Sequence, residues 1–213
     1  MAENKFQEIY TLLYDHFGPQ GWWPGDSPFE IMVGAVLTQN TNWENVRKAI
    51  ANLKEAGMLS FSALSALHVD ELAQLIKPSG YFNIKAKRLK NLLQMITERY
   101  NGELELLLNE DLPNGRKALL SVKGVGPETA DSILLYAAKH PIFVVDTYTH
   151  RIFSRHHLTA EENDYHSLQE EFHDRLPAES ALYNEYHALL VTLGKDYCRK
   201  TNPRCAQCPL QRV

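Results

Sequence analysis

Apolar side chains recur three and four residues apart along most of the chain, which is the spacing of one face of an α-helix. The first such stretch predicts one helix over residues 1–20, with Phe6, Ile9 and Leu13 on its inner face. The apolar run Ile142–Val145 has strand-like composition, but no second strand is visible to pair with it, so we expect a buried extended connector. The pattern predicts an all-α protein, with further helices near 28–37, 43–56, 70–76, 85–96, 127–138, 148–156, 165–175 and 180–194.

The turn Lys123-Gly-Val-Gly126 lies between two apolar helical segments and precedes Pro127. Glycine lets the backbone approach a partner closely, and proline suits the first position of a helix, so Gly126 is the expected N-cap. A helix N-terminus with backbone N–H donors attracts anions. Because no strand precedes the turn, a P-loop or a dinucleotide site is not indicated. The motif resembles a helix-hairpin-helix that binds a nucleic-acid phosphate; a plain connection between two helices is the alternative.

Composition narrows the class of protein only slightly. The 213 residues suffice for one large domain or two small ones, and the net charge of -4 with a pI of about 6.1 argues mildly against a DNA-binding protein. No apolar run is long enough to span a membrane and the N-terminus lacks the apolar region of a signal peptide, so we expect a cytoplasmic protein. Three cysteines within Cys198–Cys208 do not suggest a disulfide framework.

Asp146 stands eighteen positions after Glu128, which leaves room for one helix and a short connector. At this point the chain resembles the endonuclease III group of the helix-hairpin-helix DNA glycosylase superfamily. The resemblance implies a six-helix barrel over residues 28–140 that contains the hairpin, a second helical lobe formed by 1–27 and 141–213, and a cleft between them. It also implies that Asp146 is catalytic, whereas the residue considered alone favours a plain N-cap.

The resemblance assigns further site residues. Trp22 and Trp23, in a Gly/Pro loop, would join Trp43 and Glu128 around the damaged base, unless the tryptophans merely pack on the core. Gln39 would fill the gap left by the extruded nucleotide, or serve as a cap or solvated turn residue. Tyr81 would be the wedge that enters the duplex. Phosphate contacts are expected from Lys123, Gly124, Gly126 and a basic face of one helix that carries Lys85, Lys87, Arg88 and Lys90, unless that face is ordinary solvated surface.

The residue at Glu128 bears on the type of reaction. Endonuclease III proper carries there a lysine that forms a Schiff base and then cuts the strand, which a glutamate cannot do. With the Trp-Trp-Pro loop and the aromatic pair after Gly80, the chain most resembles 3-methyladenine DNA glycosylase III, so we expect a monofunctional enzyme acting on alkylated purines in base excision repair. The alternatives are a glycosylase for a mismatched, deaminated or oxidised base and a non-enzymatic DNA-binding module. Glu128 could also be only a favourable acid in the first helical turn.

The cysteine spacing matches three of the four ligands of the endonuclease III iron–sulfur cluster. Six residues separate Cys198 from Cys205 and two separate Cys205 from Cys208, while the fourth cysteine would fall one place past Val213. The resemblance implies a [4Fe-4S] cluster with a structural role, and zinc or no metal are the alternatives. The histidines of the C-terminal third, including His187, lack ligand spacing and are expected at the surface. The expected partner is double-stranded DNA with a damaged base. We expect the protein to bind this DNA as a monomer and not to associate with a membrane.

Overall fold

The computed structural model describes residues 4–213 and is all-helical there, without a β-strand, as predicted. None of the helices in these residues is both long and apolar enough to cross a membrane. The α-helices are α1 Lys5–Phe17, α2 Pro28–Leu37, α3 Trp43–Glu55, α4 Phe61–Ala66, α5 Val69–Leu75, α6 Phe82–Tyr100, α7 Leu104–Leu108, α8 Leu112–Leu120, α9 Pro127–Ser132, α10 Thr147–Arg155, α11 Tyr165–Arg175 and α12 Ser180–Asp196, with short 3₁₀ turns at Lys77–Ser79 and Cys205–Gln207.

The chain forms two compact units, one of which is continuous and spans Pro24–His140. Its centre is α2, in which every residue from Phe29 to Leu37 is buried. This helix begins at Ser27, whose hydroxyl accepts the N–H of Glu30, with Pro28 in the first turn. α2 packs against α3, α6 and α9, and α9 continues into a π-helical turn over Ile133–Ala137 that is buried throughout. The hairpin turn thus emerges from a rigid apolar core.

The other unit combines the N-terminal residues up to Trp23 with Pro141–Val213. Here α12 packs against α1 and α10 around an aromatic cluster, in which the rings of Phe143 and Phe172 stack with centroids 3.7 Å apart. The Phe143 N–H donates to Nε2 of His173 at 2.9 Å, and its carbonyl accepts from Nε2 of Gln169 at 2.6 Å. The expectation of a buried extended connector over Ile142–Val145 is confirmed, and side-chain partners replace the missing second strand.

Two helix boundaries differ from those predicted. α1 is shorter than residues 1–20: it ends at Gly18, which has a φ of +70°, and residues 1–3 lie outside the described part. α5 begins at Val69, just before the predicted start near residue 70, and its cap is His68: the His68 side chain accepts the N–H of Asp70 while Glu71 accepts the N–H of His68. A reciprocal cap of this kind satisfies two donors that the helix itself leaves unpaired.

Candidate active site

The hairpin presents the N-terminus of α9 at the surface of its unit. Val122 and Val125 are buried and the Val125 N–H donates to the Val122 carbonyl, which closes the turn. Gly124 has a φ of +99°, a region that side chains rarely adopt. Gly126 is the N-cap of α9, is exposed, and has open space where a Cβ would lie. The turn therefore has the geometry of an anion site, with a positive dipole end and room for close approach.

An ion pair locks the two hairpin helices together. Arg116 on α8 donates from Nε and Nη2 to the two carboxylate oxygens of Asp131 on α9, at 2.7 and 3.1 Å. Asp131 is fully buried, so its charge is compensated by a bidentate partner. The ion pair therefore ties α8 to α9 on the two sides of the turn.

Gln39 is fixed against the hairpin. Its Nε2 donates to the carbonyl of Gly124 at 3.1 Å and to Oγ1 of Thr129 at 2.8 Å, and its Oε1 accepts from Nη1 of Arg88. The side chain is half-buried, so it is neither a helix cap nor a freely solvated turn residue. The structure thus brings Gln39 and Gly124, two of the predicted DNA contacts, into direct contact within one unit.

Tyr81 projects into solvent at the start of α6. Its side chain is 68% exposed, the largest exposure among the bulky apolar residues described. Its φ of +46° places a bulky residue in the left-handed region, where few residues other than glycine, asparagine and aspartate are found. Because such backbone conformations cluster at functional sites, the geometry supports a role beyond packing.

The prediction that Lys85 faces outward and contacts phosphate is wrong. Lys85 is 1% exposed, and its ammonium donates to the carbonyls of Leu37 and Ser79 at 2.8 and 2.7 Å. Burial, with the nearby charge of Arg88, lowers the pKa of Lys85 to about 8. Lys90 is likewise turned inward, since its ammonium donates to three backbone carbonyls at the end of α4. Both lysines satisfy carbonyls that helices leave unpaired at their C-termini.

The three predicted pocket tryptophans are all half-buried. Trp22 and Trp23 meet edge to face, with ring centroids 5.4 Å apart and planes inclined by 65°. Trp43 is the first residue of α3, in the other unit. Trp22 and Trp23 thus contact each other, and Trp43 belongs to a separate unit of the chain.

Asp146 is the N-cap of α10. Its Oδ1 accepts from the N–H groups of Tyr148 and Thr149 at 2.9 and 2.8 Å and from the Thr149 hydroxyl at 3.0 Å. The side chain is 12% exposed. One oxygen of the carboxylate is therefore committed to the N-terminus of α10, and Oδ2 remains available to other partners.

His187 is the partner that the sequence did not reveal. The expectation that it lies at the surface is wrong: its side chain is 7% exposed, and Nε2 lies 3.5 Å from Oδ2 of Asp146. Burial alone would raise the pKa of Asp146, but the hydrogen bond and charge of His187, with the Thr149 contacts, lower it below its ordinary value of 3.8. The signal was present, because His187 shares with Tyr183 and Tyr186 the buried spacing of α12.

Glu128 and Lys123 flank the hairpin turn and are exposed. Glu128 is the second residue of α9, where an acid suits the helix dipole. The carbonyl of Lys123 accepts from Nδ2 of Asn91 at 3.0 Å, which fixes its backbone and leaves the side chain in solvent. The chain therefore has a glutamate at the position where the resemblance to endonuclease III would place a lysine.

Comparison with known proteins decides the family. The model of the HhH-GPD superfamily of base excision DNA repair proteins matches residues 33–178, which include the hairpin, Gln39, Tyr81 and Asp146. The chain belongs to this superfamily. The predicted kinship with helix-hairpin-helix DNA glycosylases is thereby confirmed, and the protein is a DNA glycosylase of base excision repair.

Individual HhH-GPD relatives match nearly the whole chain. A provisionally named DNA repair glycosylase of Methanocaldococcus jannaschii is 46% identical over 215 residues, covering 99% of this chain and 97% of that protein. Endonuclease III of Thermotoga maritima is 31% identical over 188 residues, covering 86% and 81%. The crystal structure of H. pylori 3-methyladenine DNA glycosylase bound to 1,N6-ethenoadenine is similar at a TM-score of 0.78 and 31% identity, covering 89% of this chain and 97% of that one.

The cysteines do not complete the cluster site that the HhH-GPD resemblance implies. Cys198 is buried, Cys208 is half-buried and Cys205 is exposed, and none forms a disulfide. Among residues 4–213, no three histidine, cysteine or acidic side chains are grouped so that they could hold a metal ion. Four thiolates are the usual set for an iron–sulfur cluster, so the residues present do not fit one as they stand.

Proposed function

We propose that this glycosylase is monofunctional and removes alkylated purines, leaving an abasic site in an intact strand. The observation that carries the chemistry is Asp146, a carboxylate kept ionised at a helix N-terminus. Breaking the bond between base and sugar develops positive charge on the sugar, and a fixed anion stabilises that transition state or orients the attacking water. With Oδ1 held at the start of α10 and Oδ2 beside His187, the ionised carboxylate would stabilise the positive charge that develops on the sugar.

The base pocket is proposed to be aromatic. A purine alkylated on a ring nitrogen is cationic, so it stacks favourably on tryptophan and is already a good leaving group. Trp22, Trp23 and Trp43 would supply this surface, with Glu128 at its edge. The similarity to the H. pylori 3-methyladenine DNA glycosylase, whose structure contains 1,N6-ethenoadenine, supports a modified adenine as the substrate of this chain.

DNA is proposed to bind through the hairpin and the turns beside it. The amides at Gly124 and Gly126 and the side chain of Lys123 would contact phosphate, Tyr81 would wedge into the duplex, and Gln39 would fill the space of the flipped nucleotide. We also propose that one protomer suffices.

Glu128 is the basis for proposing that no strand cleavage follows. A carboxylate cannot form the Schiff base through which a lysine would start β-elimination. The 31% identity to endonuclease III keeps a second candidate open, namely a glycosylase for another damaged base that shares the same carboxylate and differs only in the pocket.

The deciding experiment is release of free base from alkylated duplex DNA. Wild type should release methylated purines, and Asp146→Asn should slow release by at least ~100-fold, the scale of one lost electrostatic partner in a transition state. Asparagine is also a good N-cap, so the fold should persist. Asp164→Asn is the matched control, because Asp164 caps α11 in the same way. If wild type releases no methylated purine but releases deaminated or oxidised bases, the substrate assignment is wrong.

The iron–sulfur cluster stays a prediction from cysteine spacing, and no step of the proposed reaction uses it. Iron, sulfide and zinc analysis of the purified protein would test it directly. If Cys198, Cys205 and Cys208 hold a metal, its role would be to brace the segment after α12.

A further inference from the structure

One face of α6 contacts three separate turns of its unit. The side chains involved are Lys85, Arg88 and Asn91, which are spaced three residues apart and so share a face of the helix. The turns are the one after α2, which carries Gln39, the one before α6, which carries Tyr81, and the hairpin. These are the turns for which DNA contacts have been proposed.

Lys85 joins the first two turns. Its ammonium donates to the carbonyl of Leu37, two residues before Gln39, and to that of Ser79, two residues before Tyr81. The carbonyl of Tyr81 in turn accepts the N–H groups of Ile84 and Lys85 at 3.0 Å. A single buried cation therefore sets the distance between the backbone segments that present the two side chains.

Arg88 joins the first turn to the hairpin. Its guanidinium donates to Oε1 of Gln39, and its aliphatic chain packs on Gly124, where a Cβ would come within 2.4 Å of the Arg88 Cγ. One turn further along α6, Asn91 donates to the carbonyl of Lys123. The hairpin backbone is thus held at successive carbonyls by Asn91 and by Gln39 itself.

We propose that Lys85 and Arg88 are positioning residues that fix the relative placement of Gln39, Tyr81 and the hairpin, so that the wedge and the gap-filling side chain enter the duplex together. Neither residue touches the reacting atoms. The inference rests on the proposed function only in placing Gln39 and Tyr81 at the DNA, and not on the identity of the lesion.

The test uses a duplex that contains a stable abasic-site analogue opposite 2-aminopurine, whose fluorescence rises when it is unstacked. Saturating wild-type protein should raise the fluorescence, because the wedge and Gln39 displace the orphaned base. Lys85→Met and Arg88→Met, which keep the aliphatic chain and lose the donors, should reduce the rise at saturation at least threefold.

Lys90→Met is the matched control. Lys90 also lies on α6 and donates to buried carbonyls, but it holds the end of α4 and none of the three turns. It controls for loss of stability, and its fluorescence rise at saturation should equal that of wild type. All measurements are made well below the unfolding midpoint of each variant, and Lys48→Met on the exposed face of α3 serves as the surface control.

The outcomes separate the inference from the proposed function. A rise in Lys85→Met and Arg88→Met equal to that of wild type overturns the positioning role. An equal reduction in Lys90→Met overturns it as well, since loss of stability would then explain the effect. Failure of wild type to release methylated purines would refute the substrate assignment and leave this measurement valid, because it requires no excision.

Discussion

Nε2 of His187 lies 3.5 Å from Oδ2 of Asp146, and both side chains are largely withdrawn from solvent. The other carboxylate oxygen is held by three donors at the start of α10. A carboxylate removed from water normally takes up a proton more easily, so its charge persists here because of these partners. This arrangement keeps an anion at the N-terminus of α10, as the catalytic role proposed for Asp146 requires.

His187→Leu should shift the acidic limb of the pH profile of kcat/KM to higher pH. Burial raises the pKa of Asp146, and His187 and Thr149 together more than offset it, so removing His187 must raise that pKa. The carboxylate then ionises only at higher pH. Profiles that start well below the ordinary aspartate pKa and extend to neutral pH, on alkylated DNA, would measure the shift. His166→Leu, on the exposed side of α11, should leave the acidic limb at its wild-type pH. If His187→Leu also kept the wild-type limb, His187 would not be lowering the pKa of Asp146.

The same pKa predicts a dependence of stability on pH. Because the pKa of Asp146 is lower in the folded state than the ordinary value of 3.8, the residue stabilises the fold above that value, and the stabilisation is lost as pH falls through the folded pKa. The difference in free energy of unfolding between wild type and Asp146→Asn should therefore shrink on acidification below about pH 4. Urea denaturation at several pH values would measure it. A constant difference would show that the fold does not lower this pKa.

Borohydride reduction during turnover should trap no covalent complex with DNA, and the strand should remain intact without alkaline treatment. The reason is that Glu128 stands where a Schiff-base lysine would be needed. Gel electrophoresis of labelled alkylated DNA and of abasic DNA would detect both products. If an adduct forms with wild type and disappears in Lys123→Met, the exposed lysine of the hairpin has taken the role of nucleophile.

Gly124→Ala and Gly126→Ala should separate stability from DNA binding. At Gly124 the positive φ and the contact with Arg88 should cost about 1–3 kcal/mol of folding free energy.

At Gly126 the φ is −98° and a Cβ meets nothing, so the fold should change little. The added methyl would instead obstruct a phosphate and weaken DNA binding by about 1 kcal/mol, the worth of one hydrogen bond. Thermal unfolding and DNA titration would measure the two effects; unchanged affinity in Gly126→Ala would argue against phosphate binding there.

Lys85 should make the fold more stable, relative to Lys85→Met, as pH rises from about 8 to about 10.5. Burial and the charge of Arg88 lower the pKa of Lys85 from 10.5 to about 8 in the folded state. Between these two pH values Lys85 is protonated in the unfolded chain and mostly deprotonated in the folded protein, so the free energy of unfolding increases with pH. The cost of the buried charge is fully present below pH 8 and is relieved above it. Chemical denaturation of both proteins across the window would measure it, and parallel curves would refute the shift.

Features with local causes could be predicted from the residues alone. Two glycines and Pro127 specify the hairpin, Ser27 and Asp146 specify helix starts, and the apolar spacing specifies an all-α chain. The Gly-Val-Gly turn and the acid at Asp146, taken with the family resemblance, were enough to predict a DNA glycosylase, which the superfamily match confirms. These features depend on residues a few positions apart, so reading along the chain recovers them.

The partners of the buried polar side chains could not be predicted in this way. Lys85 lies on the same face of α6 as Leu89, Leu92 and Ile96, but its charge by itself predicts exposure to solvent. The carbonyls of Leu37 and Ser79 accept hydrogen bonds from its ammonium, and this allows the side chain to be buried. For His187 the spacing along α12 indicates burial, but its pairing with Asp146 depends on the folded structure. The free energy of burying a charge depends on partners that are distant in sequence, and no local pattern records where they will lie.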